Sequence, residues 1–471
     1  MRKRLVSLFC ALSILLFATS ITLANSAQMQ WTGTTATGAI VQDDACPIVV
    51  EKEMLTFDVQ EFPKEHYTEP DVFLSYPGKV TAEYTFHNPA AYAVGATLVF
   101  PFGNMPDYGQ IYDPETDERV WGVDTGKYDI TIDGEPIEKT LRHTFFPLYS
   151  EFELERDMAL LHDGFVNDPF YTPDMPVTRY TYVASGVDTE TYDAASGAFH
   201  ISIDPAKTKV LLEHQNGGKT SEDGAEVHVW IENDLEYALY VMGEPLPEMP
   251  EWKFYENGAC EDEIEGTMTL ADTQTMTFKE LALTAYNPDS GILEHDWYNA
   301  MIASMNMFEW TPNGVIPYTD FRYDLSDSLM RWYEYEIALE PDESIVNAVT
   351  APAYPAIDLR YEPPVCAYTY LLSPAKTWAE FASLEILVNT PNYITESSLE
   401  GFEKTETGYA LQREGLPDGE LNFSLCAEAE PARAANNAYF YIAPVVIIAV
   451  ALVVVGVVIL IVIRIKKARR K

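Results

Sequence analysis

Apolar and polar residues alternate with a period of two along most of this chain. The clearest example is "TAEYTFHNPAAYAVGATLVFPFG", residues 81–103, in which two alternating runs flank the turn signal Asn88-Pro89. One face would carry the apolar residues Val80, Ala82, Tyr84, Phe86, Val94, Ala96, Leu98 and Phe100. The pattern predicts a β-hairpin with one buried face. Pro101 has no amide proton and should end the second strand.

Similar short segments continue through the rest of the chain and predict a mainly β fold. They include "KYDITIDG", "TRYTYVASG", "EVHVWIEN", "WYEYEIALEPDES", "ASLEILVNTP" and "ELNFSLCAE". Turn-forming pairs such as Asp133-Gly134 and Gly217-Gly218 separate them, which is typical of β-sandwiches. The proline-rich stretch "GEPLPEMPEW" indicates a connector between two sandwich-like halves. We therefore expect an N-terminal β-rich domain at 25–250 and a second β-rich domain at 251–430.

One segment departs from the strand pattern and predicts a helix near residues 290–308. Its apolar residues recur every three or four positions, and Ser290 is available as an N-cap. The residues on this face are Ile292, Leu293, Trp297, Ala300, Met301, Ser304, Met305 and Phe308. We interpret the face as core, with a partner groove as the alternative. A shorter helix is the interpretation of "YSEFELERDMALLHDG".

The two ends of the chain predict its topology. Three basic residues precede an apolar run at 5–23 and small residues near Ala24, as in a signal peptide spanning residues 1–24. Residues 442–463 carry no charge and match the hydrocarbon thickness of a bilayer, so we expect a transmembrane helix there. Residues 431–441 would form a juxtamembrane linker. The basic segment 464–471 would be a cytoplasmic tail, which makes the protein a single-pass type I protein of the cell membrane.

The charge of the chain is strongly acidic and restricts the class of partner. The formal net charge is −43, with 30 basic and 73 acidic residues. Nine basic residues and no acids lie in the two ends, so residues 25–441 carry 21 basic and 73 acidic residues, a net charge of −52. Such a charge repels phosphates, so we expect no nucleic-acid partner.

The mature chain would keep four cysteines, all of them outside the membrane: Cys46, Cys260, Cys366 and Cys426. In an extracellular context these residues are candidates for two disulfides, with three possible connectivities. Of these we favour Cys46 with Cys260 and Cys366 with Cys426.

The opening stretch, residues 80–103, resembles the N-terminal hairpin of vault-protein inter-alpha-trypsin (VIT) domains and of related bacterial surface ectodomains. The resemblance rests on an aromatic-rich strand, an Asn-Pro turn and an apolar strand that ends in Phe-Pro. The matching residues are Tyr84, Phe86, Asn88, Pro89, Phe100 and Pro101. The resemblance implies a β-sandwich fold and no particular activity.

A von Willebrand A domain, which often follows a VIT domain, begins its metal site with Asp-x-Ser-x-Ser. The segment "DLSDS" makes Asp324, Ser326 and Ser328 the candidate ligands for a divalent cation such as calcium. The flanking sequence lacks the apolar strand and the helix that such a site needs, and too few residues follow for an intact domain. We interpret the segment as a polar turn and expect no cofactor.

Signals for catalysis are sparse in this sequence. GxSxG, HExxH and phosphate-binding glycine loops are absent, and Ser373-x-x-Lys376 lacks its companion motifs. We therefore expect a non-enzymatic cell-surface protein for binding, adhesion or envelope organisation. Its partners would be the bilayer through 442–463 and an extracellular protein, a glycan or another membrane protein. The alternative is a membrane-anchored glycan hydrolase with two acids about 5 to 10 Å apart.

Overall fold

The computed structural model describes residues 30–31, 35–37, 40–41, 46–67, 69–103, 106–109, 127–147, 152–309, 313–317 and 324–434. The predicted signal peptide, transmembrane segment and basic tail lie outside these residues. Among the residues that are described, no helix is both long and apolar enough to cross a membrane. The fold is mainly β, as the sequence predicted.

The strands alternate with loops along the whole described chain. Those before residue 150 are β1 (Gln30–Trp31), β2 (Thr35–Thr37), β3 (Ile40–Val41), β4 (Val49–Asp58), β5 (Lys79–His87), β6 (Val94–Gly103), β7 (Asp129–Ile132), β8 (Glu135–Pro136) and β9 (Thr140–Phe145). The middle strands are β10 (Pro176–Ser185), β11 (Ser196–Ile201), β12 (Thr208–Leu212), β13 (Gln215–Ser221), β14 (Gly224–Trp230), β15 (Glu236–Gly243), β16 (Lys253–Tyr255), β17 (Glu263–Ile264), β18 (Thr267–Thr277) and β19 (Val315–Ile316). The last strands are β20 (Leu329–Leu339), β21 (Ser344–Pro352), β22 (Ala356–Asp358), β23 (Tyr361–Glu362), β24 (Val365–Leu371), β25 (Ser383–Asn389), β26 (Tyr393–Ser397), β27 (Glu403–Lys404), β28 (Gly408–Glu414), β29 (Leu421–Cys426) and β30 (Ala432–Arg433).

The described helices are few and mostly short. They are α1 (Pro70–Leu74), α2 (Leu154–Met158), α3 (Phe278–Ala282), α4 (Glu294–Phe308) and α5 (Asp324–Asp327). The 3-10 helices are Asp107–Gly109, Pro288–Ser290 and Ser373–Thr377.

The first and last strands form the first sandwich. Sheet I has the order β27-β28-β25-β4-β5-β21-β7-β8, sheet II has the order β1-β22-β24-β29-β26 with β2 beside β24, and sheet III has the order β3-β6-β20-β9. Side chains from all three sheets meet in one apolar core. Strand β30 lies in the predicted linker 431–441 and pairs with β23, so that segment begins as part of this unit.

The middle strands form the second sandwich. Sheet IV has the order β18-β10-β15-β12-β19, and sheet V has the order β13-β14-β11-β16-β17. The inner faces of these two sheets enclose a second apolar core. The outer face of sheet IV is covered by α3 and α4, which form a third core with it.

The predicted boundary at residue 250 is wrong. Strands β10–β19 pair only with one another among the described residues, whereas β5 pairs with β21 and β6 pairs with β20. The second sandwich is therefore inserted into the first, between β9 and β20. A proline-rich segment marks a turn locally, but the separation of domains depends on strand pairing between distant parts of the chain.

The faces of the opening stretch were predicted correctly, but its pairing was not. All eight apolar residues of the predicted face are buried in the first core. However, β5 lies in sheet I and β6 lies in sheet III, so the two strands form no hairpin. Strand β6 also continues past Pro101 to Gly103, because the ladder shifts register between Arg331 and Trp332 where the proline has no amide proton.

Asn88 links the two connections at which the chain passes between sheets I and III. Its side chain is fully buried and donates through Nδ2 to the carbonyl oxygens of Tyr92 (2.9 Å), Leu339 (3.2 Å) and Glu340 (3.0 Å). Its Oδ1 accepts from the amide of Ala90 at 3.0 Å. One side chain thus ties the β5–β6 crossover to the β20–β21 crossover.

The predicted helix near 290–308 is confirmed as α4, Glu294–Phe308. Trp297, Met301 and Met305 are buried against sheet IV, which confirms that the apolar face of the helix is core. Ser290 is not the N-cap, since it ends a separate 3-10 helix and the cap position of α4 is Leu293.

Candidate functional site

The outer face of sheet V combines polar and aromatic side chains on one rigid strand. Strand β14 alternates between the second core and this outer face, as the period of two requires. Its inward residues are Ala225, Val227 and Val229, and its outward residues are Glu226, His228 and Trp230. The sequence "AEVHVW" therefore places a carboxylate, an imidazole and an indole next to one another on the outer face of sheet V.

The neighbouring strands extend this surface through their register. Lys219 of β13 and His200 of β11 lie opposite Glu226. Ser196 of β11 lies between Trp230 of β14 and Tyr255 of β16. We call these outward-facing residues of β11, β13, β14 and β16, together with the loop 256–262, the sheet V surface.

The loop 256–262 brings a cysteine onto the sheet V surface. Asn257 organises its turn: the amide of Cys260 donates to the Asn257 carbonyl at 3.1 Å, and the amide of Ala259 donates to Asn257 Oδ1 at 2.9 Å. Cys260 has a φ of +53°, in the left-handed region that residues with a side chain seldom adopt. Gly258 lies against Trp230 so closely that a Cβ would be 2.7 Å from the indole. The glycine thus allows the loop to lie directly against the Trp230 indole.

Cys260, His228 and Glu226 form a continuous chain of contacts, which we call the Cys–His–Glu chain. Cys260 Sγ lies 3.7 Å from His228 Nδ1, and His228 Nε2 lies 2.8 Å from Glu226 Oε1. Lys219 Nζ lies 2.8 Å from the same carboxylate oxygen. Cys260 Sγ also lies 3.9 Å from the carbonyl oxygen of Gly258.

The protonation of the chain follows from these contacts. Burial raises the pKa of Glu226, but the hydrogen bonds of Lys219 and His228 lower it more, so the net pKa lies below its ordinary value. The carboxylate is therefore ionised near neutral pH and can accept a hydrogen bond from His228 Nε2. In the tautomer with its proton on Nε2, Nδ1 faces Cys260 as an acceptor. Burial raises the pKa of the Cys260 thiol, so the sulfur carries its proton at neutral pH.

The residues of the sheet V surface differ in how far they are exposed to solvent. His228 is 9% exposed and Cys260 is half-buried, whereas Trp230 is 50% exposed. Ser196 is fully buried beside Trp230, and its Oγ has no hydrogen-bond partner. A buried hydroxyl without a partner is energetically costly.

A second polar cluster lies in the first core around Glu53. Tyr84 and Tyr370 donate from their hydroxyls to Glu53 Oε1 at 2.7 and 3.0 Å, while Oε2 has no hydrogen-bond partner. Burial raises the pKa of Glu53 to about 7. The cluster joins sheets I and II across the core, and with Glu53 at 1% exposure it is closed to a ligand from solvent.

A third polar cluster joins the two sandwiches. Arg142 of β9 contacts Asp296 of α4 at 3.3 Å and Glu334 of β20 at 2.6 Å. The amide of His143 also donates to Asp296 at 2.8 Å. Burial raises the pKa of Asp296, opposed by the charge of Arg142. The two carboxylates are bound to one guanidinium, which is a structural arrangement and not the free acid pair of a glycan hydrolase.

The predicted metal candidates lie away from these clusters. Asp324 and Ser326 belong to α5, and the carbonyl oxygen of Ser328 accepts from the amide of Phe146 at 2.6 Å. Leu325 anchors the short helix in the third core. Across the described ranges, no three or more His, Cys, Asp or Glu side chains come together as a metal site would require.

Neither predicted disulfide is present in the described part of the chain. Cys46 lies in the first core and Cys260 lies on the sheet V surface, so the inserted domain separates them. Cys366 is paired with Leu425, the residue before Cys426, so the two cysteine side chains point to opposite faces of sheet II. The first expectation failed because Cys46 is buried in the first core whereas Cys260 lies on the outer face of the inserted sandwich. The second failed because pairing register cannot be read from spacing.

Comparisons with known proteins leave the family open. No family model matches the chain, and no curated protein matches it. One similar solved structure is described as "a putative nutrient binding protein" from Legionella pneumophila subsp. pneumophila str. Philadelphia 1, at 7% identity, covering 84% of this chain and 72% of that one, with a TM-score of 0.31. A TM-score this low carries no argument about fold or function. The resemblance of residues 80–103 to VIT domains stays a prediction.

Proposed function

We propose that the chain is a membrane-anchored cell-surface protein that binds a neutral extracellular glycan through the sheet V surface. The anchor is supported by the uncharged segment 442–463 and the basic segment 464–471. The sheet V surface belongs to the inserted sandwich, on the N-terminal side of that segment, and so would be displayed outside the cell.

The observation that carries the binding proposal is the exposure of Trp230. Half of its surface remains open on the face of a rigid sheet, beside side chains that can donate and accept hydrogen bonds. A flat, amphipathic indole loses little conformational entropy on binding and is a frequent anchor of interfaces. The C–H face of a sugar ring matches this indole, and its hydroxyls match the polar neighbours.

The charge of the ectodomain supports a neutral ligand. Residues 25–441 carry a net charge of −52, which repels anionic polymers at long range. The lysines on the sheet V surface are already paired, Lys219 with Glu226 and Lys253 with Glu263, each at a distance of 2.7 to 2.8 Å. The surface therefore offers hydrogen bonds rather than a net positive patch.

The proposal predicts that Trp230→Ala removes glycan binding without unfolding the protein. The measurement is binding of the full-length protein in detergent to an array of immobilised neutral oligosaccharides. Loss of an aromatic anchor costs about 2 kcal/mol or more, which lowers affinity at least about thirtyfold. Tyr393→Ala is the matched control, because Tyr393 is 40% exposed but lies on β26 in the first sandwich. Equal binding by Trp230→Ala, or no binding by the parent protein, would refute the proposal.

A further inference from the structure

The Cys–His–Glu chain has the contact order of a nucleophile, a general base and an orienting acid. We propose that Cys260 is a catalytic nucleophile, activated by His228 and oriented through Glu226, that accepts acyl groups from an ester or thioester substrate. The proposal goes beyond glycan binding and does not depend on it. It would replace the expectation that the protein lacks enzymatic activity.

The geometry supports each of the three roles. A general base must lie within reach of the proton that it removes, and a second group must fix its ring and tautomer. His228 meets both conditions, since Nδ1 faces Cys260 Sγ at 3.7 Å and Nε2 is held by Glu226 at 2.8 Å. A distance of 3.7 Å is within the range for a contact to sulfur and shortens readily when substrate binds.

The backbone at Cys260 fixes the position of the sulfur. A cysteine at a φ of +53° stores strain, which surrounding contacts must impose. The turn at Asn257 and the packing of Gly258 on Trp230 impose that conformation here. As a result the sulfur is held over the imidazole instead of pointing into solvent.

The reaction that this arrangement can perform is acyl transfer. The Cys260 sulfur attacks the carbonyl carbon while His228 Nδ1 takes the thiol proton. The bond from carbon to the leaving oxygen or sulfur breaks, and the imidazolium returns the proton to the leaving group. A thioester on Cys260 remains. Water then attacks that thioester, its proton passes to His228 and on to the departing Cys260 sulfur, and the carboxylic acid is released.

The surroundings indicate which acyl group the site prefers. Trp230 lies two residues from His228 on the same face of β14, and Gly258 of the cysteine loop contacts its indole. An acyl group bonded to Cys260 therefore lies beside an aromatic surface. We infer an aromatic or apolar acyl group next to the reacting carbonyl.

The test uses the full-length protein in detergent with 4-nitrophenyl phenylacetate as the probe. We expect a burst of nitrophenol and a phenylacetyl adduct that peptide mass spectrometry maps to Cys260. Cys260→Ser should give neither. His228→Gln should lower the rate of acylation about a hundredfold, the ordinary contribution of general-base catalysis. Adducts spread over surface lysines, or an unchanged rate in His228→Gln, would overturn the proposal.

Further variants separate chemistry from folding and from glycan binding. His87→Gln is the matched control, because His87 lies on β5 in the first sandwich, where its Nδ1 is 3.0 Å from Ser344 Oγ; the acylation rate of this variant should equal that of the parent. Glu226→Gln should lower the rate and shift the pH dependence of acylation to lower pH, since a neutral amide stabilises the imidazolium less. An unshifted profile would assign Glu226 a purely structural role and contradict the inference. Acylation of Cys260 in a parent protein that binds no neutral oligosaccharide would refute the proposed function and leave this proposal standing, so the two failures are distinguishable.

Discussion

Glu53 is buried in the first core with tyrosine hydroxyls as its hydrogen-bond partners. Its pKa of about 7 lies above the ordinary value of 4.5, so the folded protein favours the protonated carboxyl. The stabilisation is complete below about pH 4.5 and is lost as pH rises through 7. A shift of this size corresponds to about 3 kcal/mol of unfolding free energy.

We therefore predict that Glu53→Gln unfolds like the parent at pH 4.5 and is more stable than the parent at pH 8. Gln resembles the protonated carboxyl in shape but cannot ionise. The measurement is the difference in denaturant unfolding free energy between the two proteins across this range. Glu83→Gln, on the outward face of neighbouring β5, is the control and should show little difference at either pH. A Glu53→Gln protein that follows the parent at every pH would show that Glu53 ionises without cost.

The residues of the candidate site are only partly predictable from the sequence. The alternation of "EVHVWIEN" predicts a strand, and this pattern alone places Glu226, His228 and Trp230 on one face. The sequence predicts a disulfide for Cys260 instead, because the position of Cys260 beside His228 depends on how the loop 256–262 folds back. A cysteine 32 residues away from a histidine in sequence gives no signal of contact until that loop geometry is known.

At the scale of elements, local patterns predicted the faces of strands but not their partners. The buried positions of β5 and β6 follow from period-two alternation, and α4 follows from the helical period. Strand β5 nevertheless pairs with β21, more than 250 residues later, and β6 pairs with β20. Pairing at that separation depends on the whole core, so a turn signal such as Asn88-Pro89 is compatible with either a hairpin or a crossover.

Asn88 provides a test of the crossover. Asn88→Ala leaves the carbonyl groups of Leu339 and Glu340 without their buried donor, and we predict a loss of about 2 to 4 kcal/mol in unfolding free energy. Chemical denaturation measures it. Asn392→Ala is the control, because its side chain bonds only locally to Thr390 and should cost less than about 1 kcal/mol. Equal losses in the two variants would mean that Asn88 does not fasten the two crossovers together.

At the scale of the whole molecule, the inserted sandwich contains the candidate site. The first sandwich contains the strands that precede the last described residue, 434. Arg142, Asp296 and Glu334 connect the two units through a buried ion-pair cluster, so the sheet V surface has a defined orientation on its support. With a net charge of −52 on residues 25–441, neighbouring copies would repel one another, which keeps such a surface accessible.

The most direct test of this account is labelling of intact cells with a membrane-impermeant maleimide. Cys260 is half-buried on the proposed external surface, whereas Cys366 and Cys426 are 1% and 0% exposed. We predict that the parent protein is labelled before lysis, that peptide mapping assigns the label to Cys260, and that Cys260→Ser is not labelled. Labelling of Cys260 only after lysis, or labelling of Cys366 or Cys426 in its place, would contradict an externally displayed thiol site.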